Sequence, residues 1–280
     1  MIRFEIAKLN LLYLSEKKVQ FVNRTSCLKK FERTEKSWEK NPEMIISVMP
    51  FDEGFVPNAA AWKNKITGNK IWEFWEVDQE HFGLRNPLQK VYRELIFTKD
   101  FLHGRLFGEK ITILPQDLEI VFFSNWLASF GDIILHASAI LTEKGVTVFC
   151  GESGVGKSTL VSQFEGIKGV EILGEDQVIL RNIDGEIEVF GTPWHFNPNF
   201  CSEKYGKLKE IVFLERRGIN YRESLKPITV AANLLKSAFI PFYRQELLPG
   251  IVERLSSIAE NTTASLFSYT LDMNPVEHFL

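Results

Sequence analysis

The chain has 280 residues, of which 45% are hydrophobic and 25% are charged, and its formal net charge is −3. This is an ordinary globular composition, long enough for one large domain or two modest ones, and the small net charge argues against wholesale nucleic-acid binding. The uncharged stretch in the middle of the chain, residues 120–131, falls well short of the roughly 20 apolar residues of a membrane span. We therefore predict neither a nucleic-acid partner nor a membrane partner.

The N-terminus and the cysteines predict a cytoplasmic protein. Residues 1–10 contain three charged side chains, so they lack the apolar centre of a signal peptide. Cys27, Cys150 and Cys201 are scattered and form no CxxC pair. This usage fits three ordinary thiols in a reducing compartment and argues against a structural zinc site.

Residues 1–116 are predicted to form a strand-rich, mixed α/β domain. Short alternating runs such as residues 2–6 and 71–75 are typical of strands, and turn signals separate them. Those signals are Asn41-Pro42, Pro57-Asn58 and Asn86-Pro87. No repeat or catalytic motif is present in this part, so we predict a role in recognising a substrate or partner.

A change in charge supports a boundary near Asp117. Residues 1–116 hold 19 Lys+Arg against 15 Asp+Glu, a balance of +4, whereas residues 117–280 hold 14 against 21, a balance of −7. The mildly basic first part could favour an acidic or peptide partner. The alternative is two solvated surfaces that happen to differ.

Residues 117–280 alternate between apolar strands and amphipathic helices. Predicted helices cover residues 118–130, 159–164, 229–238 and 246–260. Predicted strands cover residues 133–141, 146–150, 170–173, 177–180, 186–190, 211–214 and 265–271. The first two strands form a hairpin that leads into a glycine-rich loop.

That loop, residues 151–158, satisfies the pattern G-x-x-x-x-G-K-[ST] between a predicted strand and a predicted helix. Its glycines permit a tight turn whose backbone N–H groups converge on phosphate oxygens. Lys157 is expected to reach the β- and γ-phosphates, and the Ser158 hydroxyl to bind Mg²⁺. The predicted nucleotide-binding residues are Gly151, Glu152, Ser153, Gly154, Val155, Gly156, Lys157, Ser158 and Thr159. The alternative is a chance glycine-rich turn before a helix.

An acidic pair, Glu175-Asp176, lies 18 positions after Lys157 and is flanked by the apolar residues 172–173 and 178–180. If a turn or bulge at Gly174 re-aims them, one carboxylate could face Mg²⁺ and the other an incoming hydroxyl. The alternative is an exposed acidic turn. His136, set among small residues, is a candidate to tune a neighbouring carboxylate or, alternatively, a buried structural histidine.

Four further residues near these motifs are predicted to lie outside the site. Trp194 and His195 follow a proline turn, where an aromatic side chain is more often packed than functional. Arg216 and Arg217 precede a turn and are interpreted as solvated.

His136, the loop Gly-Glu-Ser-Gly-Val-Gly-Lys-Ser, the acidic pair and the run Glu188-Val189-Phe190-Gly191 resemble, in this order, the catalytic domain of bacterial HPr kinase/phosphorylase. The run Gly191-Thr192-Pro193-Trp194 and residues 208–215 are more similar to the HPr-kinase-related proteins found beside peptide-tailoring genes. The resemblance covers about residues 133–214. It implies an α/β (α+β) P-loop domain similar to phosphoenolpyruvate carboxykinase, with a mixed, largely antiparallel sheet.

The resemblance also implies ATP and Mg²⁺ as cofactors, a serine hydroxyl as acceptor, and a homo-oligomer. The catalytic residues that it implies are Glu175 as general base, His136 as its assistant, and Lys157. The implied metal ligands are Ser158, Asp176 and Glu188. Two departures stand out: Glu175 replaces the usual Asp, and Phe190 replaces an arginine of the bifunctional enzyme, which argues against phosphorolysis.

The sequence thus predicts an ATP- and Mg²⁺-dependent kinase for a hydroxyl group on a peptide, a protein or a small molecule. The alternative is a P-loop protein that binds ATP as a regulatory switch without transferring phosphate. A switch needs Lys157, Ser158 and one metal-binding acid. Only phosphate transfer gives a second carboxylate and His136 a role.

Overall fold

The computed structural model divides the chain into two compact units, Met1–Trp126 and Leu127–Leu280. It describes residues 1–15, 25–34, 41–50, 64–68, 72–86, 94–108, 116–195, 197–241, 244–270 and 273–280. The division falls inside the helix Gln116–Ala128, and a functional boundary at residue 117 stays a prediction. The predicted turn at Pro57-Asn58 lies outside the described residues. The same holds for three residues at the edges of other predicted features: Ile71, Pro87 and Leu271. No helix in the described ranges is long and apolar enough to cross a membrane.

The first unit is strand-rich, as predicted. Its described strands are β1 (Ile2–Ile6), β2 (Leu9–Leu14), β3 (Glu32–Arg33), β4 (Met44–Pro50), β5 (Asn64–Gly68), β6 (Glu73–Glu76), β7 (His81–Arg85), β8 (Glu94–Thr98) and β9 (His103–Gly108). They form one sheet in the order β3-β1-β2-β4-β9-β8-β7-β6-β5. Strand β4 runs parallel to both of its neighbours, and the other pairs are antiparallel. The helices are α1 (Thr25–Lys30) and α2 (Gln116–Ala128).

Aromatic side chains form much of the core of the first unit. Phe97 in β8 lies 5.0 Å from Phe101 and 5.3 Å from Phe122 of α2, measured between ring centroids. Trp126, one helical turn further on, lies 6.2 Å from Phe122. Residues 121–128 are all buried, so the predicted buried helix is confirmed, whereas Phe130 of the same apolar pattern is 48% exposed. Gly131 follows with φ of 74°, a left-handed conformation common just after a helix.

One carboxyl group of the first unit is buried without a hydrogen-bond partner among the described residues. Glu94 in β8 is 1% exposed, and within the described ranges neither of its carboxylate oxygens has a hydrogen-bond partner. Burial raises the pKa of Glu94 from 4.5 to about 7, although the charge of Arg85 on the adjacent strand opposes the shift. The ionised form of Glu94 therefore destabilises the folded unit.

This burial predicts a pH-dependent stability. Because the folded pKa of about 7 exceeds the unfolded value of 4.5, the stabilising contribution is complete below pH 4.5 and is lost as the pH rises through 7. We expect Glu94→Gln to raise the free energy of unfolding at pH 8 by up to about 3 kcal/mol, with little change near pH 4.5. Urea unfolding of both proteins at pH 4.5 and 8 measures this difference. Glu80→Gln, at an exposed position, is the control, and an equal response of the two variants would contradict the prediction.

The second unit has a mixed, largely antiparallel sheet. Its strands are β10 (Ile133–Thr142), β11 (Gly145–Cys150), β12 (Glu171–Gly174), β13 (Gln177–Ile183), β14 (Glu186–Phe190), β15 (Tyr205–Leu214), β16 (Tyr221–Ser224) and β17 (Thr263–Ser268). The order is β11-β10-β13-β14-β15-β17-β16, with β12 beside β10 and a further pairing of β11 with β15. Among the described strands of this sheet, only the pairs β11–β15 and β15–β17 are parallel. The predicted hairpin is confirmed as β10–β11.

Helices cover both faces of this sheet. They are α3 (Lys157–Ser162), α4 (Pro227–Ser237) and α5 (Leu248–Asn261). Along β11 the side chains alternate, so Val148 and Cys150 join the core under α4 and α5 while Phe149 joins the core under α3.

Cys27, Cys150 and Cys201 are all buried free thiols, and burial raises the pKa of Cys150 to about 12. The described protein is thus a mixed α+β fold with large sheets and few helices.

Candidate functional site

The glycine-rich loop joins the end of β11 to the start of α3, where the sequence places it. Gly151, Gly154 and Gly156 have φ values of 150°, 78° and 114°, which side chains with a Cβ rarely adopt. A Cβ at Gly151 would also lie 3.0 Å from the backbone oxygen of Leu214 in β15. The spacing of the glycines is therefore a requirement of the loop conformation.

Lys157 is folded back onto this loop. Its ammonium group donates to the carbonyl oxygens of Gly151 at 2.9 Å and Glu152 at 3.1 Å, and the residue is 5% exposed. Burial lowers the pKa of Lys157, whereas the negative charge of Asp176 acts in the opposite direction. A buried cation that is held by neutral carbonyls would be stabilised further by charged oxygen ligands.

The acidic pair lies at a bend between two consecutive strands. β12 and β13 follow each other along the same edge of β10, and residues 175–176 form the break between them. Ala137 N–H donates to the Asp176 carbonyl at 3.0 Å, and the Ser138 hydroxyl donates to the Glu175 carbonyl at 2.5 Å. Ala139 pairs with Gly174 and Ile140 with Ile172, so the pairing skips Leu173 and an irregularity of the bulge type lies just before the bend, one residue before Gly174.

The side chains of the pair have different partners. Asp176 Oδ1 lies 3.2 Å from His136 Nε2, and Asp176 Oδ2 accepts from the Gln177 side-chain amide at 3.2 Å. The hydrogen bond from His136 is the main reason that the pKa of Asp176 is lowered. Glu175 Oε1 instead accepts the backbone N–H of Asn197 at 3.1 Å.

This arrangement corrects one implication of the resemblance. His136 contacts the second acid, Asp176, and not Glu175, which the resemblance made its partner. The reason is the bend: Asp176 is bonded to Ala137, the residue next to His136 on β10. Ser158 lies beside the same bend, with its hydroxyl 3.5 Å from the Glu175 carbonyl oxygen.

Glu188 does not belong to this group. In β14 it lies opposite Arg181 of β13, five residues along the strand from Asp176. At about 3.3 Å per residue this separates it from the acidic bend by about 16 Å, too far to share a metal ion with Ser158. The inclusion of Glu188 among the metal ligands was therefore wrong.

The loop forms one side of a cleft with a volume of about 780 Å³. Its lining residues come from β10, the loop, the end of β15, α4 and β17: His136, Gly151, Glu152, Ser153, Gly154, Val155, Phe213, Leu214, Glu215, Arg216, Asn233, Lys236, Ser237 and Leu266. The sequence predicted His136 and the loop but missed the α4 side and Arg216.

The two arginines that follow β15 have different environments. Arg217 pairs with Glu215 at 2.8 Å and lies over the Tyr221 ring, consistent with the predicted solvated turn. Arg216 lines the cleft, and its Nε donates to the Val155 carbonyl at 3.2 Å. Arg216 is exposed, as the solvated interpretation predicted, but its place in the lining of the cleft was not predicted. No local sequence pattern indicates this place, because it depends on the parallel pairing of β11 with β15, which brings the residues after both strands to one edge.

Residues after β14 hold the acidic bend in place. Thr192 donates its hydroxyl to the Gln177 carbonyl at 3.1 Å, so its oxygen accepts from His195 Nε2 at 3.0 Å. The His195 ring fills the space beside Gly174, where a Cβ would lie 2.7 Å from it. Trp194 is buried at 2% exposure, in agreement with the predicted packing role.

Comparisons with known proteins found similar solved structures, but no matching family model or curated protein. One solved structure that the chain is similar to is the Hpr(Ser) kinase/phosphatase from Coxiella burnetii, at 12% identity over 52% of this chain and 85% of that chain. The TM-score is 0.29, a distant likeness of fold.

Proposed function

We propose that the second unit is an ATP- and Mg²⁺-dependent kinase that transfers the γ-phosphate to a serine-type hydroxyl of a peptide, a protein or a small molecule. The observation that supports it most is the 3.2 Å contact between His136 and Asp176, because His136 also lines the cleft beside the glycine-rich loop. An imidazole oriented by a carboxylate is an arrangement suited to accepting a proton from a hydroxyl group.

The loop residues fit the phosphates of ATP. Backbone N–H groups of residues 151–158, together with Thr159 at the start of α3, would surround the phosphate oxygens. Lys157 would turn from the carbonyls of Gly151 and Glu152 to phosphate oxygens, exchanging neutral acceptors for charged ones. No bond of another side chain has to break for this change.

Ser158 and Asp176 fit a magnesium ion. Mg²⁺ in nucleotide sites commonly takes one or two protein oxygens and completes its shell with phosphate oxygens and water. The lowered pKa of Asp176 keeps its carboxylate ionised, as a metal ligand must be. Bound Mg²⁺ would neutralise charge on the β- and γ-phosphates.

The proposed proton acceptor is His136. A neutral imidazole that donates Nε2–H to Asp176 keeps its Nδ1 lone pair available for the acceptor hydroxyl. Asp176, with its lowered pKa, is the weaker base and acts by orienting the ring. Glu175, bonded to the Asn197 backbone, would hold the bend in shape.

The role of the first unit, the oligomeric state, the cellular location and the classes of partner are proposed from the sequence alone. The first unit would recognise the acceptor, the protein would be a cytoplasmic homo-oligomer, and it would use neither nucleic acid nor a membrane as partner. A P-loop switch that binds ATP without transferring phosphate is the competing proposal. Incubation with γ-labelled ATP and host lysate fractions separates them, because a switch leaves every peptide and metabolite unlabelled.

Nucleotide binding should depend on Lys157. We expect Lys157→Ala to weaken MgATP binding by at least about tenfold, because a charged donor to phosphate is lost and the backbone amides remain. Isothermal titration calorimetry with and without Mg²⁺ measures the affinity. Lys168→Ala, an exposed lysine after α3, is the matched control and should bind normally. Equal affinity in wild type and Lys157→Ala would contradict the proposal.

A further inference from the structure

Arg216 extends the phosphate site beyond the glycine-rich loop. We propose that its guanidinium group binds the polyphosphate of the nucleotide, as a second cation in addition to Lys157. This inference rests on the proposed function, since it names a further residue of the same nucleotide site. It assigns a binding role to a side chain outside the loop motif.

The sheet topology places Arg216 beside the loop. β11 and β15 run parallel, with Cys150 opposite Phe213, so the chain leaves both strands at the same edge of the sheet. The glycine-rich loop follows Cys150, and Arg216 follows Phe213 by three residues. Arg216 and the loop residues Gly151–Val155 consequently line one cleft.

A hydrogen bond fixes the guanidinium group to the loop. Arg216 Nε donates to the Val155 carbonyl oxygen at 3.2 Å. Arginine carries five N–H donors, so this bond leaves the four donors of the two terminal nitrogens for a ligand. A planar pair of such donors matches two oxygens of a phosphate group, which a lysine ammonium cannot do.

The charge of Arg216 is not compensated by a carboxylate. Within the described ranges no Asp or Glu oxygen lies within 4.0 Å of it, whereas Arg217 pairs with Glu215 at 2.8 Å and Arg222 with Glu210 at 2.6 Å. Glu215, the acidic neighbour in the cleft, is thus already paired with Arg217. Arg216 therefore supplies an unpaired positive charge beside a loop that is built for anions.

Arg216→Gln and Arg217→Gln form a matched pair, because each removes one positive charge from adjacent exposed positions and only the first lines the cleft. We expect Arg216→Gln to lower the affinity for MgATP and for inorganic tripolyphosphate by about tenfold and to leave the affinity for AMP almost unchanged. Arg216→Lys should recover only part of the affinity because the fork is lost. Arg217→Gln should bind like the wild type.

The titrations separate this inference from the proposed function. Equal effects of the two glutamine variants would indicate a diffuse surface field and overturn the inference, while Lys157-dependent ATP binding would still support the function. An equal loss of affinity for AMP and ATP in Arg216→Gln would place the guanidinium group at the nucleoside monophosphate part of ATP and overturn the inference as well. If the wild type binds tripolyphosphate through Arg216 but no nucleotide, the inference holds for phosphate and the kinase proposal fails. Binding of neither probe overturns both.

Discussion

His136→Gln should lower the rate of phosphate transfer by about 10²- to 10⁴-fold, the usual contribution of a general base, with little change in MgATP affinity. Glutamine keeps an N–H donor for Asp176 but has no basic nitrogen that could accept the hydroxyl proton. Single-turnover transfer from γ-labelled ATP measures the chemical step, and calorimetry measures binding. A variant that transfers phosphate at the wild-type rate would remove His136 from the reaction.

Asp176 and His136 should behave as one unit. Asp176→Asn is expected to lower the rate of phosphate transfer, because asparagine orients the His136 ring less well. It should also weaken the Mg²⁺-dependent part of ATP binding. The double variant should be little worse in transfer than the more damaging single variant, because residues that act together are non-additive. Fully additive losses would show that the 3.2 Å contact between the two side chains has no catalytic role.

Glu175→Gln is the matched control for this prediction. Its amide oxygen can still accept the backbone N–H of Asn197, so the bend should persist and transfer should change little. The resemblance to HPr kinase/phosphorylase implied the opposite, with Glu175 as the base. A 10²- to 10⁴-fold loss in Glu175→Gln together with a small loss in His136→Gln would restore that assignment.

Phe279→Ala should lower the free energy of unfolding of the second unit by about 3–5 kcal/mol. The ring is 2% exposed, and its centroid lies 5.0 Å from Phe149 and 5.2 Å from Phe267, both in edge-on geometry. Phe149 belongs to β11, which leads into the glycine-rich loop, and Phe164 just after α3 lies 6.4 Å from Phe279. Removing the ring leaves a cavity between the two elements that flank the loop.

Urea unfolding followed by circular dichroism measures this loss. Leu280→Ala is the control, since Leu280 is 44% exposed and truncating it should change stability by less than about 0.5 kcal/mol. An equal effect of both substitutions would mean that this end of the chain is not held by ring packing. Saturating MgATP should stabilise either variant by mass action if the nucleotide binds only the folded protein.

The local features of the site could be predicted from the sequence. Gly151, Gly154 and Gly156 adopt positive φ values that residues with a Cβ rarely adopt, so their spacing identified the loop. The hairpin before the loop follows from two apolar runs and a polar turn, which also interact locally. The strand-rich character of the first unit was predicted, but the parallel pairs β2–β4 and β4–β9 join distant segments that no local pattern specifies.

The tertiary structure decided which of these residues meet. His136 contacts Asp176 because a bulge and a bend set the register between β10 and the acidic pair, and a shift of one residue redirects every side chain of a strand. Glu188 is removed from the site by its distance along the sheet, although it follows the acidic pair closely in sequence. Arg216 enters the site because two strands distant in sequence run parallel and end at one edge. Sequence spacing fixes the geometry of a loop, whereas the partners of a side chain depend on strand register and strand order, which are set by packing between distant segments.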